Sequence, residues 1–158
     1  MNKKIVVNTS PIISFGKMQA FDLIRELPFK FVCPPQVQAE ISVGTSKGYP
    51  VIFPDWIKIL PLKNPLSALV LANLDAGEAA VIELALQENI AQVCLDEIKG
   101  RRAAMASGLN VVGSLGLLGK AKTLGIISEL RPLIEKAQKA GIYYDKKLVE
   151  NFLTQINE

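Results

Sequence analysis

The residues of this chain best suited to chemistry are one carboxamide and four carboxylates, Asn8, Glu40, Glu78, Asp96 and Glu97. Acidic groups brought together repel one another, and the repulsion is relieved by protonation or by a divalent cation. Mg2+ and Mn2+ take oxygen ligands and keep several waters, so a few carboxylates around an open, wet cleft are enough to hold one. Such an ion lowers the pKa of a bound water and stabilises charge on a phosphodiester. Each position also has a plainer use. Asp75-Ala-Gly-Glu78 fits a helix cap with an acid in the first turn, where a carboxylate is favourable anyway. Asp96 could cap the basic helix that follows it, and Glu40 on a short helix is by default solvated.

Composition narrows the alternatives. Histidine is absent, which removes His-activated nucleophiles and the commonest zinc ligand. Cys33 and Cys94 sit in apolar strand-like runs (KFVC, QVCL) and read as buried reduced thiols. A net charge of +3 permits a polyanionic partner without demanding one. With 49% hydrophobic residues and a mean hydropathy of +0.27, the 158 residues fit one well-buried domain. The apolar run of MNKKIVV breaks at Asn8-Thr9-Ser10-Pro11, too short for a leader, and no stretch approaches the roughly 18 residues of a membrane span. A cytoplasmic location is expected.

The elements that must position these groups are organised around Leu74 to Glu97. There an apolar-periodic helix (Ala76 to about Glu88) runs into a short strand (Ala91 to Leu95), with an acid at each end. Eighteen positions separate Glu78 from Asp96. At about 1.5 Å per helical and 3.3 Å per strand residue, antiparallel travel can return both ends to one sheet edge. Before this unit the pattern predicts a strand at Lys4–Val7, a helix from Ile12 to Leu27, a strand at Phe29–Cys33 and a helix from Gln36 to Val43 ended by Gly44. An irregular excursion then runs from Thr45 to Pro54, followed by an edge strand at Trp56–Leu60 and a helix over Leu66–Leu74. After it come a basic helix (Ile98–Ser107), a strand at Asn110–Val112, and helices over Gly113–Lys122, Leu130–Ala140 and Lys146–Ile156. Strands alternating with helices predict an α/β sandwich with a mainly parallel sheet, with function at the carboxyl ends of the strands. Gly113, Gly116, Gly119 and Lys120 fail a phosphate loop, because Ser114 stands at a required glycine and Ala121 follows the lysine. A receiver domain would need an acid pair where Asn8-Thr9-Ser10 stands.

Taken together, Val7-Asn8-Thr9-Ser10-Pro11-Ile12, Pro34-x-x-Val-x-x-Glu40, Leu74-Asp-x-Gly-Glu78-x-x-x-Ile82 and Leu95-Asp-Glu followed by Arg102 resemble the PIN domain. The likeness is nearest to its VapC-like branch of toxin-type ribonucleases. Gly113–Lys122 and Arg131-Pro-Leu133 extend it over nearly the whole chain. The resemblance implies a three-layer α/β/α sandwich with a four- to five-stranded, mainly parallel sheet. It also implies a metal-dependent endoribonuclease, the toxin of a toxin–antitoxin pair. Metal ligands would be Asn8, Glu40, Glu78 and Asp96, the three acids being catalytic, with Glu97 auxiliary and Mg2+ or Mn2+ as cofactor. Thr9 or Ser10 would orient the first-strand site, and Arg101 or Arg102 would face phosphate. Expected partners are RNA, a small cognate antitoxin and a second copy of the chain. The departure is Asn8, where the wider family has aspartate. An amide oxygen brings no formal charge, so a silent relative that binds RNA or a protein without cutting is the alternative.

Overall fold

The computed structural model describes residues 3–46 and 51–158. In chain order its elements are β1 (Lys3–Val7), α1 (Thr9–Lys17), α2 (Phe21–Arg25), β2 (Phe29–Cys33), α3 (Pro35–Ser46), β3 (Lys58–Ile59), α4 (Ala68–Asn73), α5 (Ala76–Gln87), β4 (Gln92–Cys94), α6 (Ile98–Ala106), β5 (Asn110–Val112), α7 (Ser114–Thr123), α8 (Arg131–Lys139) and α9 (Lys146–Gln155). The strands form one five-stranded sheet in the order β3-β2-β1-β4-β5, and every neighbouring pair is parallel. Each parallel connection needs a crossover, which the helices supply, giving the three-layer α/β/α sandwich. The connections leave β1 in opposite directions, so the switch point of the sheet lies between β1 and β4, where open α/β sheets form their crevice.

β1 shows why the sheet is covered on both sides. Its residues Ile5, Val6 and Val7 are consecutive and all essentially inaccessible, the run of β-branched residues that a strand buried on both faces requires. β2 continues the core with Phe31, Val32 and Cys33. Phe31 meets Trp56 edge-on at 5.3 Å, and Trp56 meets Phe21 at 6.2 Å. Leu84, Leu95, Leu117, Leu118, Leu130 and Ile134 are among the largest fully buried side chains from α5 onward. Both cysteines are free and buried, and burial pushes the Cys33 thiol up to about 12. No helix among the described residues is long and apolar enough to cross a membrane.

Several boundaries differ from the sequence pattern. α1 starts at Thr9 and not Ile12, and the helix expected over Leu66–Leu74 is Ala68–Asn73. The single helix expected from Ile12 to Leu27 is two, because α1 ends in a left-handed residue, Gln19 (φ 56). Ala20 N–H donates to the Phe15 carbonyl at 2.9 Å and Gln19 N–H to that of Gly16 at 3.1 Å. These are the two closing bonds of a Schellman motif, made here without the usual glycine and so without a sequence signal. Gly44 does not end α3, which runs to Ser46; one interior glycine costs a helix about 1 kcal/mol. The expected edge strand Trp56–Leu60 contracts to Lys58–Ile59, since Trp56 turns into the aromatic cluster. The strand expected over Ala91–Leu95 pairs only at Gln92–Cys94. Residues 47–50 of the expected excursion lie outside the described residues.

Two devices fix helix ends. Asp75 accepts from Glu78 N–H at 2.7 Å while Glu78 Oε1 accepts from Asp75 N–H at 3.4 Å, a complete capping box at α5. Glu158 accepts from the N–H groups of Leu130 and Arg131 and from Lys122 Nζ at 3.0 Å. Burial pushes its carboxyl up, but these bonds outweigh it and hold the group below its usual range. Asp75→Ala is expected to cost about 1 kcal/mol in urea unfolding. Asp75→Asn should cost less, since its amide oxygen can accept the same bond without repelling Glu78.

Candidate functional site

The register aligns the ends of three strands. Val7 stands beside Cys94 and Cys94 beside Val112. The ladder continues one step further, with Asn8 N–H donating to the Cys94 carbonyl at 3.1 Å and Leu95 N–H to that of Val112 at 3.0 Å. Asn8, Asp96 and Ser114 therefore emerge together at the carboxyl edge of β1, β4 and β5, at the switch point. Asn8 is the N-cap residue of α1 but makes no capping bond. Its side chain is buried, and its Oδ1 has no hydrogen-bond partner among the described residues.

Two glycines seat two of the acids. Glu40, in the second turn of α3, accepts a 2.6 Å bond from the Thr9 hydroxyl through Oε2 and lies against Gly77 at the start of α5, where a Cβ would overlap its carboxylate. Glu78, the next residue, is buried and lies against Gly100 of α6, where a Cβ would come within 2.7 Å of its Oε2. Glu40, Glu78 and the start of α6 thus adjoin in sequence along one edge, which Arg101 continues to Asp96. Burial pushes the Glu78 carboxyl above its ordinary 4.5, and the neighbouring Asp75 and Glu97 charges add to the rise.

Asp96 is not the N-cap of α6; Glu97 holds that place, with no side-chain bond. The Asp96 Oδ1 instead accepts from Ser114 N–H at 2.7 Å and from the Ser114 hydroxyl at 3.1 Å. Burial raises its pKa, opposed by the Ser114 bonds and by the Arg101 guanidinium. Arg101 Nη1 is itself anchored on the Leu95 carbonyl at 2.8 Å. The Ser114 hydroxyl also bonds the Tyr144 hydroxyl at 2.9 Å, and Tyr144 in turn bonds Ser14. Ser10 is half-buried in the first turn of α1, while Glu97 and Arg102 are exposed. Gly113-Ser114 follows the last strand, one of the carboxyl ends where the pattern expects function to collect, though no role is expected there for Ser114. Ser14 and Tyr144 are not among the residues expected at the site, and Tyr144, in the irregular link before α9, has no sequence signal.

The donors are all hard oxygens, and the unpartnered Asn8 Oδ1 is an acceptor still lacking a donor or an ion. In kind they fit Mg2+ or Mn2+ rather than zinc or copper. Among the described residues no three His, Cys, Asp or Glu side chains are gathered closely enough to hold a metal ion by themselves. Mg2+ does not need such a cage, since it binds through one or two carboxylates and keeps its waters.

A parallel sheet with hard-oxygen groups at its switch point places a candidate binding crevice where open α/β sheets hold their ligands. A PIN domain family model matches residues 4–158, and the chain belongs to the PIN family, whose members are in general nucleases that use divalent metal ions. No curated protein matches the chain.

The pKa directions fix the sign of a pH effect. A carboxyl raised in the folded state holds its proton longer there than in the unfolded chain. Its stability is therefore highest below the ordinary pKa and is lost as pH rises through the raised value. Glu78→Gln and Asp96→Asn should each melt higher than the parent at pH 7 in metal-free buffer. That advantage should shrink as the pH is lowered toward about 4, in melting curves recorded across the range.

Proposed function

We propose that this chain is a Mg2+- or Mn2+-dependent endoribonuclease and the toxin component of a toxin–antitoxin pair, acting in the cytoplasm on RNA phosphodiesters. The observation that carries the reading is the buried Asn8 Oδ1 without a partner. An unsatisfied buried polar group costs about 1–3 kcal/mol, and here it stands where three acids approach one sheet edge. Asn8, Glu40, Glu78 and Asp96 would hold the ion, with Glu97 as an auxiliary acid. When bound, the ion would supply an acidified water and offset charge developing on the phosphate.

The chain's own side chains supply the positioning. Thr9 orients Glu40 by holding Oε2, and Ser114 orients Asp96 by holding Oδ1. In each case the second carboxylate oxygen is left for ion or proton. Burial and its acidic neighbours raise the Glu78 carboxyl, which makes it a better proton acceptor than a solvated glutamate. Arg101 partly neutralises Asp96, while the exposed Arg102 and the half-buried Ser10 would face substrate. A small antitoxin and a second copy of the chain are the protein partners this reading adds.

A second reading, a silent PIN relative that binds RNA or a protein without cutting, is favoured by two facts. Asn8 contributes no charge, and three acids are not gathered closely enough among the described residues to cage an ion.

The deciding experiment is cleavage of single-stranded RNA by the pure protein with Mn2+. Glu78→Gln and Asp96→Asn are each expected to lower the rate by more than about tenfold. Equal rates in all three proteins would point to a contaminant or another site. Asn8→Asp is expected to tighten Mn2+ binding by calorimetry, and equal affinities would remove Asn8 from the metal shell. RNA binding without cleavage in the parent, with cleavage gained in Asn8→Asp, would establish the silent reading.

A further inference from the structure

The β3 side of the sheet carries the opposite charge. Lys4 of β1 is in direct register with Lys30 of β2. Lys58 of β3 is in register with Val32, two positions along the same face as Lys30. Three ammonium groups therefore stand on one face of three successive strands spaced about 4.8 Å apart. All three are exposed, as is Arg25 at the end of α2, and none of the four has an ion-pair partner among the described residues. Together with Phe31 and Trp56 they line a cleft of about 480 Å3.

Like charges set opposite each other in a sheet are destabilising, so the arrangement calls for a reason. Lysine on an edge strand guards against edge-to-edge pairing, which accounts for Lys58. It does not account for Lys30 or Lys4, because β2 and β1 are interior strands. Cations beside apolar walls focus the field in a cleft and attract a polyanion. A half-exposed indole among them suits a base as well as a phosphate: grooves that take single strands combine tracking cations with aromatic stacking platforms. An acidic peptide would use the charges and leave the aromatic wall without a role.

We propose that this cleft is a second nucleic-acid-binding surface, which takes phosphates of a single-stranded RNA on Lys4, Arg25, Lys30 and Lys58 and a base against Trp56. It lies on the β3 side of the sheet, with Lys4 and Lys30 near the amino ends of β1 and β2 and Lys58 level with Val32, whereas Asp96 follows β4 on the other side, and it does not depend on cleavage there.

Trp56 is the sole tryptophan, so its fluorescence reports this cleft alone. Titration of the full chain with an oligouridylate of roughly 12 nucleotides is expected to quench that emission saturably. Lys30→Gln/Lys58→Gln should weaken binding by about tenfold or more at low salt and reduce the slope of log K against log salt by about 1.4. Lys4→Gln alone should reduce the slope by about 0.7, which keeps the test decisive if the double variant melts early. Binding seen by anisotropy with unchanged Trp56 emission, or with slopes equal to the parent's, would overturn the proposal. So would polyglutamate binding as tightly as the oligonucleotide. Loss of Mn2+-dependent cleavage in Glu78→Gln with quenching intact separates the two sites, and quenching in a protein that never cuts leaves this surface standing while the nuclease reading falls.

Discussion

The carboxyl edge that carries Asn8 and Asp96 is placed by the parallel pairing of β1 between β2 and β4. Ile5, Val6 and Val7 are buried on both faces of the sheet, and such a strand is stable only under two helical layers. Those layers consist of the crossovers that bring each following strand back in the same direction. Val7, Cys94 and Val112 end level as a result, and the first polar residues after them have no choice but to share one edge. The crevice there is a consequence of how the core is closed.

That edge is held in an unfavourable electrostatic state. Burial, and then the charge of Asp75, the residue whose cap it completes, push the Glu78 carboxyl up. Asp96 is half-buried, and the resulting rise in its pKa is opposed by Ser114 and Arg101. Gly77 and Gly100 contribute by omission, since a methyl group at either position would displace a carboxylate. Sites strained in this way are where stability is traded for function. Asn8 moves the balance back toward stability, because a neutral amide adds no further repulsion beside the acids and yet keeps an oxygen facing the same space.

The sheet is also polarised from one side to the other. Lys4, Lys30 and Lys58 share a face of β1, β2 and β3, and the acids stand around β1, β4 and the start of α5. A net charge of +3 conceals this separation, since opposite charges on the two sides largely cancel in the sum. Long-range attraction of a polyanion would act through the basic side and not through the acidic crevice, which by itself repels phosphate.

Much of the architecture was legible locally. The β-branched and apolar runs of β1, β2 and β5, the bounds of α6, and the Asp75-x-x-Glu78 cap depend on residues within about one helical turn or a few strand positions of one another. Absent histidine excluded whole classes of chemistry before any folding was considered. The break at Gln19 was not legible, because a Schellman turn without glycine leaves no mark in residue type. Nor were the partners of the acids: Thr9 meets Glu40 across 31 positions, Asp96 meets Ser114 across 18, and Ser114 meets Tyr144 across 30. The amino-acid sequence determined which segments form strands and helices and which oxygens are available, because those are matters of local sterics and hydrogen bonding. Only the tertiary structure decided that Asp96 bonds Ser114 and does not cap a helix, that Glu40 rests on Gly77, and that Asn8 is left unpartnered. Such choices are made by whichever groups the closed sheet brings within bonding distance.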